Sequence, residues 1–62
     1  SLDNDPISVI IDLLNTKFNR YLSDEKGVRK TVAALQRLGY RWSDINAALR
    51  RAEVETEEIS DV

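Results

Sequence analysis

Few side chains in this sequence of 62 residues could carry out chemistry, because it contains no cysteine, no histidine and no methionine. That composition removes thiol nucleophiles, the usual zinc ligands and the side chain that most often moves protons at neutral pH. Ser43 and Asp44 are adjacent and offer a hydroxyl beside a carboxylate. A serine followed by an acid is more typical of a helix N-terminus, where the hydroxyl caps the backbone and the carboxylate suits the helix dipole. We therefore predict no catalytic site, no cofactor and no small-molecule substrate.

The acidic C-terminal residues are a further group that could bind a ligand. Carboxylate oxygens are suitable ligands for a hard divalent cation. Their spacing does not match that of a known calcium loop, and closely spaced acids are more often a solvated segment. We predict no metal site and a flexible acidic tail over residues 53–62, whose candidate ligands are Glu53, Glu55, Glu57 and Glu58.

The charges are distributed unevenly along the chain, although nine basic and eleven acidic residues nearly cancel. Residues 1–16 carry three acids and no base, a charge of -3, and residues 53–62 carry five acids and no base, a charge of -5. Residues 17–52 carry all nine bases and three acids, a charge of +6. A basic middle of this kind predicts a surface for an acidic partner. The candidate binding residues are Lys26, Arg29, Lys30, Arg37, Arg41 and Trp42.

The same basic residues are compatible with two further roles. Surface lysines and arginines also solubilise helices, so the pattern does not require a ligand. Direct contact with DNA phosphates, with Tyr40 and Trp42 as stacking surfaces, is the second role. The low isoelectric point of about 4.9 opposes it. A helix-turn-helix is disfavoured because the presumed recognition helix would begin with Asp44.

Helical periodicity predicts three helices to position these residues. Asp5 and Pro6 are an N-cap and a first helical residue, and apolar residues then recur at three- and four-residue steps as far as Leu22, which predicts a helix over about 6–22. The β-branched residues 7–11 could alternatively form a strand, but the length of the apolar period as far as Leu22 favours the helix. A second helix over about 24–38 is predicted after Ser23 and Asp24, ending before Gly39.

The third helix is predicted over about 43–52, with Ser43 as its N-cap. We expect Tyr40 to be buried and Trp42 to pack onto Ala47 as a hydrophobic staple. On the first predicted helix, Phe18 and Tyr21 are both expected to be core residues.

The fold class predicted from these helices is all-α: a three-helix module over residues 6–52, with residues 1–5 as an N-terminal cap and residues 53–62 as the acidic tail. No signal peptide or membrane span is visible, so a cytoplasmic location without a membrane partner is expected.

The order of these features resembles the C-terminal three-helix repeat of the RecX family, bacterial regulators of the RecA recombinase. The resemblance covers about residues 6–52. Two residues depart from the family pattern: Leu38 stands at a usually basic position, and Arg41 stands where a serine cap is usual, which transfers the predicted cap to Ser43. The matching positions are Gly39, Tyr40, Ile45, Ala48 and Leu49.

The RecX resemblance implies a non-catalytic module that binds RecA filaments and inhibits recombination and SOS-type activity in DNA repair. The basic residues would then face the acidic filament or its DNA phosphates.

A second resemblance is to ubiquitin-associated-like domains, including the C-terminal domain of the RuvA protein, through the Leu38-Gly39-Tyr40 turn. It implies a general protein-interaction domain of a DNA-repair protein. A generic interaction domain of this kind predicts an apolar docking groove near Tyr40 and Trp42. This fold would need a further apolar helix after Ala52 and would leave residues 6–22 unused.

Overall fold

A computed structural model describes residues 5–54, which form three α-helices. These are α1 (Pro6–Asn15), α2 (Glu25–Arg37) and α3 (Trp42–Arg51), and a short 3-10 helix (Asn19–Tyr21) lies between α1 and α2. No strand occurs in residues 5–54, so the predicted all-α class is confirmed. Most of the N-terminal cap predicted over residues 1–5 and of the acidic tail predicted over residues 53–62 lies outside the described residues, which include only Asp5 of the cap and Glu53 and Val54 of the tail.

The start of α1 follows the prediction, but its end does not. Asp5 is the N-cap and accepts a hydrogen bond from the backbone N–H of Ile7 at 3.3 Å, and Pro6 occupies the first helical position. The helix ends at Asn15 rather than Leu22. The predicted continuous helix over 6–22 is therefore wrong in its second half.

Local hydrogen bonding explains this early end. The Thr16 hydroxyl donates to the backbone carbonyl of Asp12 at 2.8 Å, and the N–H of Phe18 reaches back to the carbonyl of Leu13 at 3.0 Å. Threonine side chains compete with the helical ladder in this way. The turn still lets Phe18 and Leu22 pack against the core, whereas Tyr21 is 46% exposed, so its predicted core position is wrong.

Both ends of α2 match the prediction closely. Asp24 caps it by accepting a hydrogen bond from the N–H of Gly27 at 2.9 Å. At the opposite end Gly39 has a φ of 102°, a left-handed conformation that glycine adopts without strain. The N–H of Tyr40 then bonds to the carbonyl of Leu35 at 3.1 Å, which completes a Schellman motif.

The core is built from all three α-helices. The α1 helix packs mainly on α3, while α2 packs on α3 and on the 3-10 helix. One polar residue, Thr31, is buried with the core and donates its hydroxyl hydrogen to the carbonyl of Gly27 at 2.9 Å. The buried hydrophobic residues are Ile10, Leu14, Val28, Leu35, Ile45, Ala48 and Leu49.

The start of α3 corrects the predicted cap. Arg41, not Ser43, is the N-cap, and its side chain makes no capping hydrogen bond. Its carbonyl already accepts the N–H of Ile45 at 3.0 Å, so the helix begins before Ser43. Trp42 is then the first helical residue, so its predicted staple position is wrong. The position before the cap belongs to Tyr40, which packs against the core but is half-buried rather than buried.

Replacing Arg41 with serine is expected to stabilise the fold by about 1 kcal/mol, because a serine hydroxyl can accept one of the unpaired N–H groups of the first turn. Urea unfolding followed by circular dichroism measures this gain. Ser43→Ala is the matched control and should change the free energy of unfolding by less than about 0.5 kcal/mol. A loss of about 1 kcal/mol in that control would identify Ser43 as the true cap.

The end of α3 extends the folded unit slightly beyond residue 52. Glu53 has a φ of 60°, the left-handed conformation, and the N–H of Val54 bonds to the carbonyl of Leu49 at 3.0 Å. Val54 is half-buried against the core. The acidic segment predicted from residue 53 thus begins with two residues that close a second Schellman motif.

None of the helices within residues 5–54 combines the length and the apolar character needed to span a membrane.

Candidate partner-binding surface

The exposed face of α2 carries four of the six predicted site residues, and we call this set the basic stripe. With 3.6 residues per turn, spacings of three, four and seven residues place side chains on one side of a helix. The opposite side of α2 is buried through Val28, Thr31 and Leu35, which leaves the stripe facing solvent. Its members, all exposed, are Lys26, Arg29, Lys30 and Arg37.

The basic stripe is long enough to contact an extended partner. Lys26 and Arg37 are eleven residues apart, a rise of roughly 16 Å along the helix axis. Ala33 lies between them on the same face and is exposed. A partner can therefore approach the middle of the stripe without meeting a bulky side chain.

Arg41 and Trp42, the remaining two predicted site residues, lie beyond the Gly39 turn. Both are exposed, and Trp42 is 36% accessible at the first position of α3. They therefore belong to a different element from the basic stripe. Along the chain, the tight connection between α2 and α3 separates the two sets.

An apolar groove that the sequence did not predict lies between the 3-10 helix and α2. It has a volume of about 330 Å³ and is open to solvent. It could not be predicted because a continuous helix over 6–22 would place Tyr21 in the core. We call it the aromatic groove, and its lining residues are Phe18, Tyr21, Lys30, Thr31 and Ala34.

Cations lie over both aromatic rings of this groove. The Lys17 Nζ atom is 6.0 Å from the centroid of the Phe18 ring, and the Arg20 guanidinium carbon is 5.7 Å from that of Tyr21. These distances are within the range of cation–π attraction. Lys30 lines the groove itself, whereas Lys17 and Arg20 lie next to two of the rings that line it, and we call these three cations the positive rim.

Ser43 and Asp44, which offer a hydroxyl beside a carboxylate, both lie at the start of α3. Ser43 is exposed at the second position of α3, and Asp44 lies in its first turn, where a carboxylate suits the helix dipole. Residues 5–54 contain no group of three or more acids that could hold a metal ion. The remaining acidic residues weighed as metal ligands, Glu55, Glu57 and Glu58, are outside that range.

Comparison with known proteins gives no relative: no family model, no curated protein and no solved structure matches the chain.

Proposed function

We propose that the chain is a non-catalytic regulatory module that binds RecA recombinase filaments, acts in the cytoplasm and inhibits recombination and SOS-type activity. The observation that supports this best is the basic stripe, which presents four cations on one solvent-facing side of α2. The order of helices and turns that resembles the RecX repeat gives the partner.

The chemistry of the stripe fits an acidic, extended surface. Lysine and arginine side chains on one helix face steer association with an acidic partner and make it dependent on salt. The resemblance supplies such a partner in the RecA filament, including its DNA phosphates. In this proposal Arg41 and Trp42 contact the same filament next to the stripe.

A second candidate is a protein-interaction domain resembling the ubiquitin-associated type. Leu38, in the turn that carries this resemblance, is 63% exposed, and Trp42 is 36% exposed. Exposed large apolar side chains of this kind often mark a protein contact. In this candidate the two side chains, rather than the basic stripe, would carry the binding.

Parallel titrations separate these candidates. The full chain is titrated against RecA filaments on DNA, against the same DNA alone and against ubiquitin, at one salt concentration. We expect saturable binding to the filaments, at least about tenfold weaker binding to bare DNA, and no binding to ubiquitin. The chain should also slow strand exchange by RecA.

Equal affinity for bare DNA would identify a simple nucleic-acid binder, and binding to ubiquitin alone would favour the second candidate. Failure to bind RecA filaments would contradict the proposed function.

A further inference from the structure

The aromatic groove is a second surface, distinct from the basic stripe although adjacent to it. Ala33 and Ala34 are successive residues and point about 100° apart around α2. Ala33 lies within the stripe, whereas Ala34 lines the groove. The two surfaces can therefore be perturbed separately, even though Lys30 borders both.

The chemistry of the groove defines its ligand. Its lining combines apolar and aromatic surface with one cation, Lys30, and has no acid. Lys17 and Arg20 add further positive charge over the rings. A ligand that matches this pattern has an apolar side chain for the floor and carboxylates beside it.

We propose that the aromatic groove binds an acidic peptide segment of a partner protein, whose apolar side chain packs between Tyr21 and Ala34. Its carboxylates then lie near the positive rim. The inference does not depend on which partner binds the basic stripe.

A nucleic acid fits the same groove less well. Bases bind aromatic side chains by stacking on an open ring face. Here Lys17 and Arg20 each lie over a ring, and Phe18 is already half-buried against the core. An apolar side chain needs only the ring edges and the methyl group of Ala34.

The chain has an acidic segment of its own in residues 55–62, with the apolar residues Ile59 and Val62. It follows Val54, which packs against the core and does not line the groove. We commit to a partner's segment as the occupant because the lining of the groove fits an acidic ligand with an apolar side chain, and the chain's own segment is tested as the competing one.

The test uses the full chain and a fluorescent synthetic peptide. Leucines recur in this peptide at three- and four-residue steps and glutamate fills the remaining positions, and a second peptide has lysine for every glutamate. We expect saturable binding of the glutamate peptide at physiological salt, weakened at least about tenfold by Ala34→Glu and less than about twofold by the matched control Ala33→Glu. The lysine peptide should not bind.

Amide chemical shifts of the unsubstituted chain give a second readout that does not depend on whether a variant folds. The glutamate peptide should shift Tyr21, Thr31 and Ala34 rather than Lys26 and Arg37. The proposal would be overturned if Ala34→Glu and Ala33→Glu weakened binding equally. It would also be overturned if the lysine peptide bound as well as the glutamate peptide, or if oligothymidylate caused the same chemical-shift changes. Binding that appears only after Glu57→Gln and Glu58→Gln would overturn it as well, because the groove would then belong to the chain's own segment.

Discussion

Gly27→Ala is expected to destabilise the fold by about 2 kcal/mol, the cost of inserting a methyl group where no space exists. In an ordinary helix the same change would stabilise the protein by about 0.5–1 kcal/mol, because alanine is the better helix former. The expected change in the free energy of unfolding is therefore opposite in sign to that of the same substitution in an ordinary helix.

The position of Gly27 explains this reversal. A Cβ atom built there would overlap the backbone carbonyl of Tyr21, in the 3-10 helix. The N–H of Gly27 is bonded to Asp24, and its carbonyl accepts the Thr31 hydroxyl. The glycine is thus held on both sides, and either α2 or the 3-10 helix must move to admit a methyl group.

Urea unfolding measures the loss, with Lys26→Ala as the control in the same helical turn. The control should change the free energy of unfolding by less than about 0.5 kcal/mol, since Lys26 is exposed. Because a domain of this size has only about 3–5 kcal/mol of stability, Gly27→Ala should leave a measurable unfolded fraction on mild heating. A Gly27→Ala chain as stable as the unsubstituted one would show that the 3-10 helix does not pack tightly on α2.

The fold class and most helix boundaries could be predicted because they depend on local signals. Asp24 followed by a helical apolar period, and glycine at position 39, specify the two ends of α2 without tertiary information. The same local chemistry identified Asp5 and Pro6 at the start of α1.

The end of α1 and the groove could not be predicted in this way. Apolar spacing continues through Phe18 and Leu22, which do pack on the core, but they reach it from a turn rather than a helix. The spacing of apolar residues indicates which side chains are buried but not the conformation of the backbone that carries them. The turn itself depends on the hydrogen bonds of Thr16 and Phe18. Tyr21 becomes a groove residue only because of that turn.

The basic stripe was partly predictable. The spacing of Lys26, Lys30 and Arg37 places them on one side of α2, and that side is the exposed one. The sequence also grouped Arg41 and Trp42 with them, although these residues lie on the connection to α3 and at its start. The number of charged residues in a stretch of sequence does not show on which helix or connection each of them will lie.

Replacing the four residues of the basic stripe with alanine is expected to weaken binding to RecA filaments by tenfold or more, about 1.4 kcal/mol or above. Each lost cation removes an electrostatic attraction to the acidic filament, and this attraction is the part of the binding free energy that salt screens. The fold should persist, because all four side chains are exposed and alanine is a good helix former.

A matched control removes four positive charges from other parts of the chain. It replaces four basic residues outside α2, all exposed, with alanine, so that its net charge equals that of the stripe variant. If the stripe is the binding surface, this control should bind filaments within about threefold of the unsubstituted chain. The control residues are Lys17, Arg20, Arg50 and Arg51.

The role of the basic stripe in binding is measured most directly by the salt dependence of filament affinity for the unsubstituted chain, the stripe variant and the matched control. We expect similar steep slopes of log affinity against log salt for the unsubstituted chain and the control, and a shallower slope with weaker binding for the stripe variant. An unchanged affinity and slope in the stripe variant would contradict this role.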